Sequence, residues 1–372
     1  MSAINVIAFN IPYPANYGGV IDVYHKLRAF NHLGVDVYLH CFEYGRDRAD
    51  ILSGLCKKVY YYKRNTGLLS NLGLTPYIVS SRRHKNLLVN LEKNNAPILM
   101  EGLHCTALLG EKSLKDRRII YRESNIEHDY YFHLAKASQS WLKKIFFYIE
   151  AFRLKRYESK LRLADQIWAV SKEDKSHLES TLGHSNVHFL PSFKGFDNVA
   201  AKTGKGEYVL YHANLSVPEN DQAAHYLVDH VFSKIEIPAI VAGLNPSNAL
   251  INKIKGYSNV EIRANLNEET MADLIKEAHV HVLYTSQATG LKLKLLQVLF
   301  NGRYCVANSK MLHGTDLFSL CHIANTKDEM IQKINGLVNQ SFTEENISQR
   351  KPYLENYTDS YLAEYALRLL NS

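Results

Sequence analysis

The sequence predicts an α/β protein made of two doubly wound, Rossmann-like parallel-sheet domains. Short runs rich in β-branched and aromatic residues alternate with amphipathic stretches along the chain, and turn residues bound most of them. The alternation comes in two successive series, separated near 192–206 by a stretch with Gly, Lys and Asn and little apolar content. Parallel sheets with helices on both faces satisfy such strand–helix–strand repetition. At 372 residues the chain exceeds one ordinary core, and its 46% hydrophobic content lets two be packed.

The first series places strands near 5–9, 35–41, 58–62, 97–101, 118–122, 166–170 and 187–190, with helices between most of them. The second places strands at 208–212, 238–242, 260–263, 281–284, 304–307 and 322–324, with helices at 219–232, 268–278 and 290–300. The expected organisation is a first domain at 1–192, a linker at 193–206 and a second domain at 207–354, with a helix at about 355–372 packing back on the first. Two such sheets turn the carboxyl ends of their strands toward a central cleft, where ligands bind.

No apolar run approaches the roughly 20 residues that span a bilayer, and the opening MSAINVIAFN lacks a charged leader and a cleavage site, so a soluble cytoplasmic protein is expected. The five cysteines lie far apart with no CxxC pair, which predicts reduced, buried thiols. The net charge of +7 is uneven: residues 1–200 hold 28 Lys/Arg against 19 Asp/Glu, residues 201–372 hold 16 against 18. The first domain should therefore meet something anionic, a membrane surface, a nucleic acid or a phosphorylated acceptor. No helix-turn-helix, RRM signature or zinc knuckle is present, which sets nucleic acid aside.

Four places concentrate polar groups at strand-to-helix junctions. After the strand at 281–284, Thr289 and Gly290 open a helix carrying Lys292 and Lys294, so backbone N–H groups, the helix dipole and an ammonium could hold a diphosphate. The alternative is an ordinary βαβ unit with solvated lysines. The first strand leads through a Pro-rich loop to Tyr17, Gly18 and Gly19, glycines that let the backbone approach a ligand or merely make a tight turn. The strand at 97–101 delivers Glu101 and, shortly after it, His104, candidates to accept from and donate to sugar hydroxyls or phosphate; a cap or core hydrogen bond is the plain alternative for the histidine. Arg122, Asn125, Glu127 and His128 follow the next strand, where Asn125 could instead cap the helix. Glu127, His128 and Asp129 do not make a metal site, because helical neighbours point in different directions. The segment 141–162 sets Trp141, Ile145, Tyr148 and Phe152 among basic residues; it could lie on an anionic membrane, although most such stripes are core contacts.

Taken together, these segments resemble the family-4 retaining glycosyltransferases of GT-B fold (group 1), over nearly the whole chain. The resemblance is carried by the loop ending in Gly18-Gly19, by Arg122 to His128, by Ala169-Val170-Ser171-Lys172-Glu173-Asp174, by residues 208–220, and by Thr289 to Gln297 followed by Asn301-Gly302-Arg303. It implies a nucleotide-sugar donor on the C-terminal domain, a glycan, lipid-linked or protein-linked acceptor on the N-terminal domain, and hexosyl transfer with retention. That chemistry would serve surface polysaccharide or glycoconjugate synthesis, at the inner face of a membrane. No cofactor or metal is expected, since there is no DxD motif. By similarity Lys294, then Lys292, would meet the diphosphate, Thr289, Gly290 and Leu291 would offer backbone groups, Gln297 the ribose contact, and Gly243 and Asn214 would flank the nucleotide. Catalytic roles fall to His104 and Glu101, with Tyr17, Gly18 and Gly19 as the donor-phosphate or acceptor loop and Arg122, Asn125, Glu127 and His128 on the acceptor side. The family often carries glutamates where Thr289 and Gln297 stand, His at Ser124 and Gly at Ala213. These departures keep two alternatives in view: an inactive scaffold that binds nucleotide or glycan, and a nucleotide-sugar epimerase.

Overall fold

The computed structural model describes residues 3–67, 73–138, 140–286 and 293–371. The chain divides into two compact units, residues 1–195 with 359–372, and residues 196–358.

The first unit holds a seven-stranded parallel sheet: β1 (Ala3–Ala8), β2 (Asp36–Glu43), β3 (Lys58–Lys63), β4 (Ile98–Glu101), β5 (Ile119–Arg122), β6 (Gln166–Ala169) and β7 (Val187–Phe189), in the order β3-β2-β1-β4-β5-β6-β7. β4, β5 and β6 are buried throughout, as expected of strands covered on both faces, whereas the edge strand β3, KVYYYK, is half-exposed with a lysine at each end. Register follows the apolar runs, with Ala3 to Ala8 pairing Asp36 to Cys41. One face is packed by Val23, Leu27 and Phe30 of the Gly18–His32 helix together with Leu362, Ala363 and Ala366 of the Asp359–Asn371 helix. The other face carries Ile7, Met100 and Tyr121 against Leu154, Tyr157 and Leu161. Gln166 ties the last helix to the sheet by donating from Nε2 to the Leu369 carbonyl at 2.7 Å.

The second unit holds a six-stranded parallel sheet: β8 (Val209–Asn214), β9 (Ala239–Leu244), β10 (Val260–Ala264), β11 (Val280–Leu283), β12 (Tyr304–Ala307) and β13 (His322–Ile323), in the order β10-β9-β8-β11-β12-β13. Helices Pro218–His230, Glu268–Glu277 and Leu293–Asn301 intervene. Thr326 and Thr343 start two further helices with reciprocal capping boxes. Residues 196–206 lie against this unit: Phe196 stacks on Phe300 at 5.0 Å, and the Ala200 and Gly204 N–H groups donate to Phe300 and Phe342. All five cysteines are free thiols, four of them buried. Among the described residues, no helix is long and apolar enough to cross a membrane.

Candidate functional site

In the first unit the strand order reverses between β1 and β4, the point at which an open parallel sheet leaves a crevice beyond its carboxyl ends. A cavity of about 570 Å³ opens there. Phe9 and Asn10 reach it from the end of β1, Tyr44 and Arg46 from beyond β2, Arg64 from beyond β3 and His104 from beyond β4. His104 sits on the short 3₁₀ turn Leu103–Leu108, its ring 5.4 Å from Phe9. The turn is entered through Gly102 at φ 76°, a left-handed conformation that suits glycine. Burial, then Arg82 and Arg64, hold the His104 imidazole well below its usual range, so it is neutral. Its Nδ1 lies 3.9 Å from Glu127 Oε1, and burial lifts the Glu127 carboxyl to about 7. At 3.9 Å the imidazole and the carboxyl are not directly hydrogen-bonded, so a substrate hydroxyl or water between them would be needed for either to exchange a proton.

Tyr17 lines the same cavity, its hydroxyl accepting from Asn10 Nδ2 at 3.4 Å and its ring 5.3 Å from the Arg46 guanidinium. Gly18 and Gly19 open the Gly18–His32 helix, whose start no side chain caps. A Cβ on Gly19 would stand 2.7 Å from Phe9 Cζ, so a larger residue here would push the Phe9 ring in the cavity wall.

Four readings from the sequence are corrected here. Glu101 is 3% exposed and its Oε1 lies 2.6 Å from Lys26 Nζ; that ammonium is 3.2 Å from Asp22 Oδ2, which is 3.3 Å from Arg122 Nε. Glu101 and Arg122 thus belong to a buried charge network beneath the sheet, not to a substrate-facing surface. Burial opposes it, yet Lys26 and Arg122 hold the Asp22 carboxyl below its ordinary value. Arg122 further donates to the Leu190 and Pro191 carbonyls, and Phe193 N–H donates to Asp22 at 2.7 Å. Asn125 caps nothing: it is exposed, its N–H goes to Glu123 Oε1 at 2.8 Å, and Ile126 precedes the Glu127–Ala137 helix. His128 joins Glu158 and His177, whose ligand-type atoms lie within 4.8 Å of one another. Each carboxylate oxygen takes one imidazole, at 2.7 Å from His128 Nδ1 and 3.1 Å from His177 Nε2. The bond to Glu158 raises His128 above its usual value against the opposing effect of burial, and the contacts of Glu158 tie three helices together. The fourth correction concerns the aromatic stripe, where Trp141 and Phe152 are 68% and 71% exposed. The Trp141–Glu158 helix buries Ala151, Leu154 and Tyr157 but leaves this stripe exposed.

In the second unit the order reverses between β8 and β11. Lys294, at the start of the Leu293–Asn301 helix, is half-buried, 3.4 Å from Asn220 Oδ1 and 5.4 Å from the Tyr211 ring. Burial, then Lys294, hold the His212 imidazole down to about 4, with Gln297 alongside. Beyond β11, Thr285 and Ser286 hydroxyls donate to Glu219, and Lys310 donates to the Ser286 carbonyl at 2.9 Å. Asn214 closes a local turn, its Oδ1 accepting from Ser216 N and Oγ. Gly243 owes its identity to β8: a Cβ there would lie 1.8 Å from the Ala213 carbonyl oxygen. Thr289, Gly290, Leu291 and Lys292 lie outside the described residues.

The sequence reading passed over Arg46, Arg64 and Arg82, with Tyr44 and Tyr77 beside them. The rule that ligands gather at strand carboxyl ends, applied to β2 and β3 as to β1 and β4, points to the first two.

No protein-family model matches the chain. A Klebsiella pneumoniae protein described as an uncharacterized 44.6 kDa protein in a cps region is 25% identical over 337 residues, covering 85% of each chain. Among solved structures, a mutant of S. aureus TarM in complex with fondaparinux, α-GlcNAc-glycerol and UDP matches with a TM-score of 0.67 at 12% identity, over all of both chains. Anabaena HepE with UDP and glucose matches at 0.65 and 12%, again over both whole chains. The fold is GT-B. In this GT-B chain each sheet gathers its candidate groups at one topological switch point, beside His104 in the first unit and beside Lys294 in the second.

Proposed function

We propose that the chain is a glycosyltransferase, moving a hexose from a nucleotide-sugar donor held by the second unit to a glycan or lipid-linked acceptor held by the first. The observation that carries this reading is Lys294, placed with Asn220, His212 and Gln297 at the switch point of a GT-B unit. An ammonium there suits a departing diphosphate, and no metal is needed to neutralise it. The UDP in the TarM and HepE structures supports a uridine donor. Transfer proceeds with retention: the bond from the anomeric carbon to the diphosphate breaks while the acceptor oxygen bonds on the same face, and the acceptor proton leaves with the diphosphate. The cps region of the Klebsiella relative supports a role in surface polysaccharide assembly.

The exposed Trp141, Leu142, Ile145 and Phe152, among Lys143, Lys144 and Arg156, would rest the first unit on the anionic inner face of a membrane. Sedimentation with phosphatidylglycerol but not phosphatidylcholine vesicles tests that placement.

The function itself is tested by incubation with a panel of nucleotide sugars, with and without oligosaccharide acceptors. Acceptor-dependent release of nucleotide in the presence of EDTA is expected, with the anomeric configuration of the product read by NMR. Binding of nucleotide without release would assign the chain to a scaffold role, and conversion of the donor alone to epimerisation.

A further inference from the structure

The cavity of the first unit carries positive charge that the protein does not neutralise. Arg46, Arg64 and Arg82 all line it, and none forms an ion pair among the described residues. Their hydrogen bonds go to uncharged oxygens only: Arg82 to the Phe9 and Ile78 carbonyls at 2.9 and 2.8 Å, Arg64 to Ser81 Oγ at 3.0 Å, Arg46 to the Tyr13 and Pro14 carbonyls and Asn16 Oδ1. Glu127 is the nearby carboxyl; burial lifts it to about 7 against the pull of Arg82, and it forms no ion pair with any of the three arginines among the described residues.

Arg64 is built for a planar anion. Its guanidinium lies 4.3 Å from the Tyr44 ring centre and 5.0 Å from that of Tyr77, so two aromatic faces fix its plane. Only Nε is used in a hydrogen bond, which leaves the Nη1 and Nη2 edge without a protein acceptor among the described residues. That edge matches a carboxylate or phosphate through two parallel N–H···O bonds. Arg82, 4% exposed and bonded through Nε and Nη1, adds a second charge that burial and Arg64 draw down to about 10, as expected of cations crowded together. Phe9, Tyr17, Tyr131 and Phe146 give the remaining wall flat apolar faces suited to a sugar ring, and about 570 Å³ lies within the roughly 300–1,000 Å³ of small-molecule sites.

We propose that this cavity selects an anionic acceptor saccharide, with Arg64 as the specificity-determining fork on its carboxylate or phosphate and Arg82 and Arg46 supplying the surrounding positive field. The inference rests on the transferase reading for the word acceptor. The anion site itself stands on the arginines alone.

The full-length protein is titrated with methyl glucuronide, glucose phosphate and methyl glucoside at low salt, with UDP as a separate ligand. Both charged sugars, or one of them, should bind about tenfold or more tightly than the neutral glycoside, the size of one charge-assisted contact. Whichever charged sugar is tighter identifies the anion as uronate or phosphate. Arg64→Gln should abolish the preference with neutral-sugar and UDP affinity unchanged, and Arg64→Lys, which keeps the charge and loses the fork, should restore only part of it. Equal affinity for charged and neutral sugars, no detectable binding of either charged sugar, or a preference that survives in Arg64→Gln overturns the proposal. Loss of discrimination with UDP binding intact removes this inference alone, whereas discrimination without any nucleotide-sugar binding removes the transferase reading and leaves the anion site.

Discussion

Lys26→Met tests whether the network beneath the first sheet is held by charge balance. Two basic groups, Lys26 and Arg122, face two carboxyls, of which Asp22 is held low while burial raises Glu101; the side chains of Lys26, Asp22, Glu101 and Arg122 are 1%, 7%, 3% and 0% exposed. Methionine replaces the stem at similar volume, so the cavity contribution is small, but Asp22 and Glu101 are then left to share Arg122. Breaking one partner of a buried ion cluster costs about 3–5 kcal/mol. Both tryptophans, Trp141 and the fully buried Trp168, belong to the first unit, so tryptophan emission followed through urea reports that unit without the other. The expected result is a lower midpoint at unchanged slope, because the surface exposed on unfolding is the same. Adding Glu101→Gln restores neutrality around Asp22 and Arg122, and the pair of substitutions should recover about 2 kcal/mol relative to Lys26→Met alone. A single variant within about 0.5 kcal/mol of the native protein, the ordinary range of surface substitutions, or a double variant no more stable than the single one, refutes the charge-balance argument.

Lys294→Ala should weaken nucleotide-sugar binding by about 2 kcal/mol, the size of a charge-assisted contact, as read by calorimetry; unchanged affinity removes the lysine from the donor site. Gly243→Ala drives a methyl into the Ala213 carbonyl and should lower the calorimetric transition of the second unit, by about 3 kcal/mol of stability, while tryptophan emission of the first is unaffected. The His128–Glu158–His177 tie carries a pH signature. His128 is raised above 6.5, so its contribution is complete below 6.5 and is lost as pH climbs through its folded value; Glu158 is lowered below 4.5, so its contribution is complete above 4.5 and is lost as pH falls through its own. Stability of the first unit should therefore fall on both sides of that window, and His128→Gln should flatten the alkaline side. Glu127, raised from 4.5 to about 7, behaves oppositely to an ordinary carboxylate: it penalises the fold as pH rises through 7, so Glu127→Gln should stabilise the first unit at pH 8 and not at pH 4 in the same urea assay.

The strands were legible because most are runs of apolar, β-branched or aromatic residues between turn residues, whereas their order in each sheet is set by tertiary packing that the sequence does not display. The aim of individual side chains was not. A carboxylate at a strand end reads equally as a catalytic group or as half of a buried ion pair, and only the Gly18–His32 helix lying over β4 brings Lys26 to Glu101. His128 gave no hint of Glu158, 30 positions on, because helix packing and not spacing joins them. Gly243 illustrates the same limit: it is demanded by the Ala213 backbone, a constraint that a local reading assigns to a ligand. The arginines of the cavity were missed because Arg46, Arg64 and Arg82 belong to no motif and acquire meaning through convergence alone.

The helix that completes the first sheet is translated after the entire second unit. Until Leu362, Ala363 and Ala366 arrive, the apolar side of the Gly18–His32 helix and the strands beneath it stand open on the nascent chain, while residues 196–358 already have every strand they need. The later unit should thus mature ahead of the earlier one, the reverse of the usual vectorial order. A stop codon or bulky fusion placed just before Asp359 would leave residues 196–358 finished and the first unit unfinished.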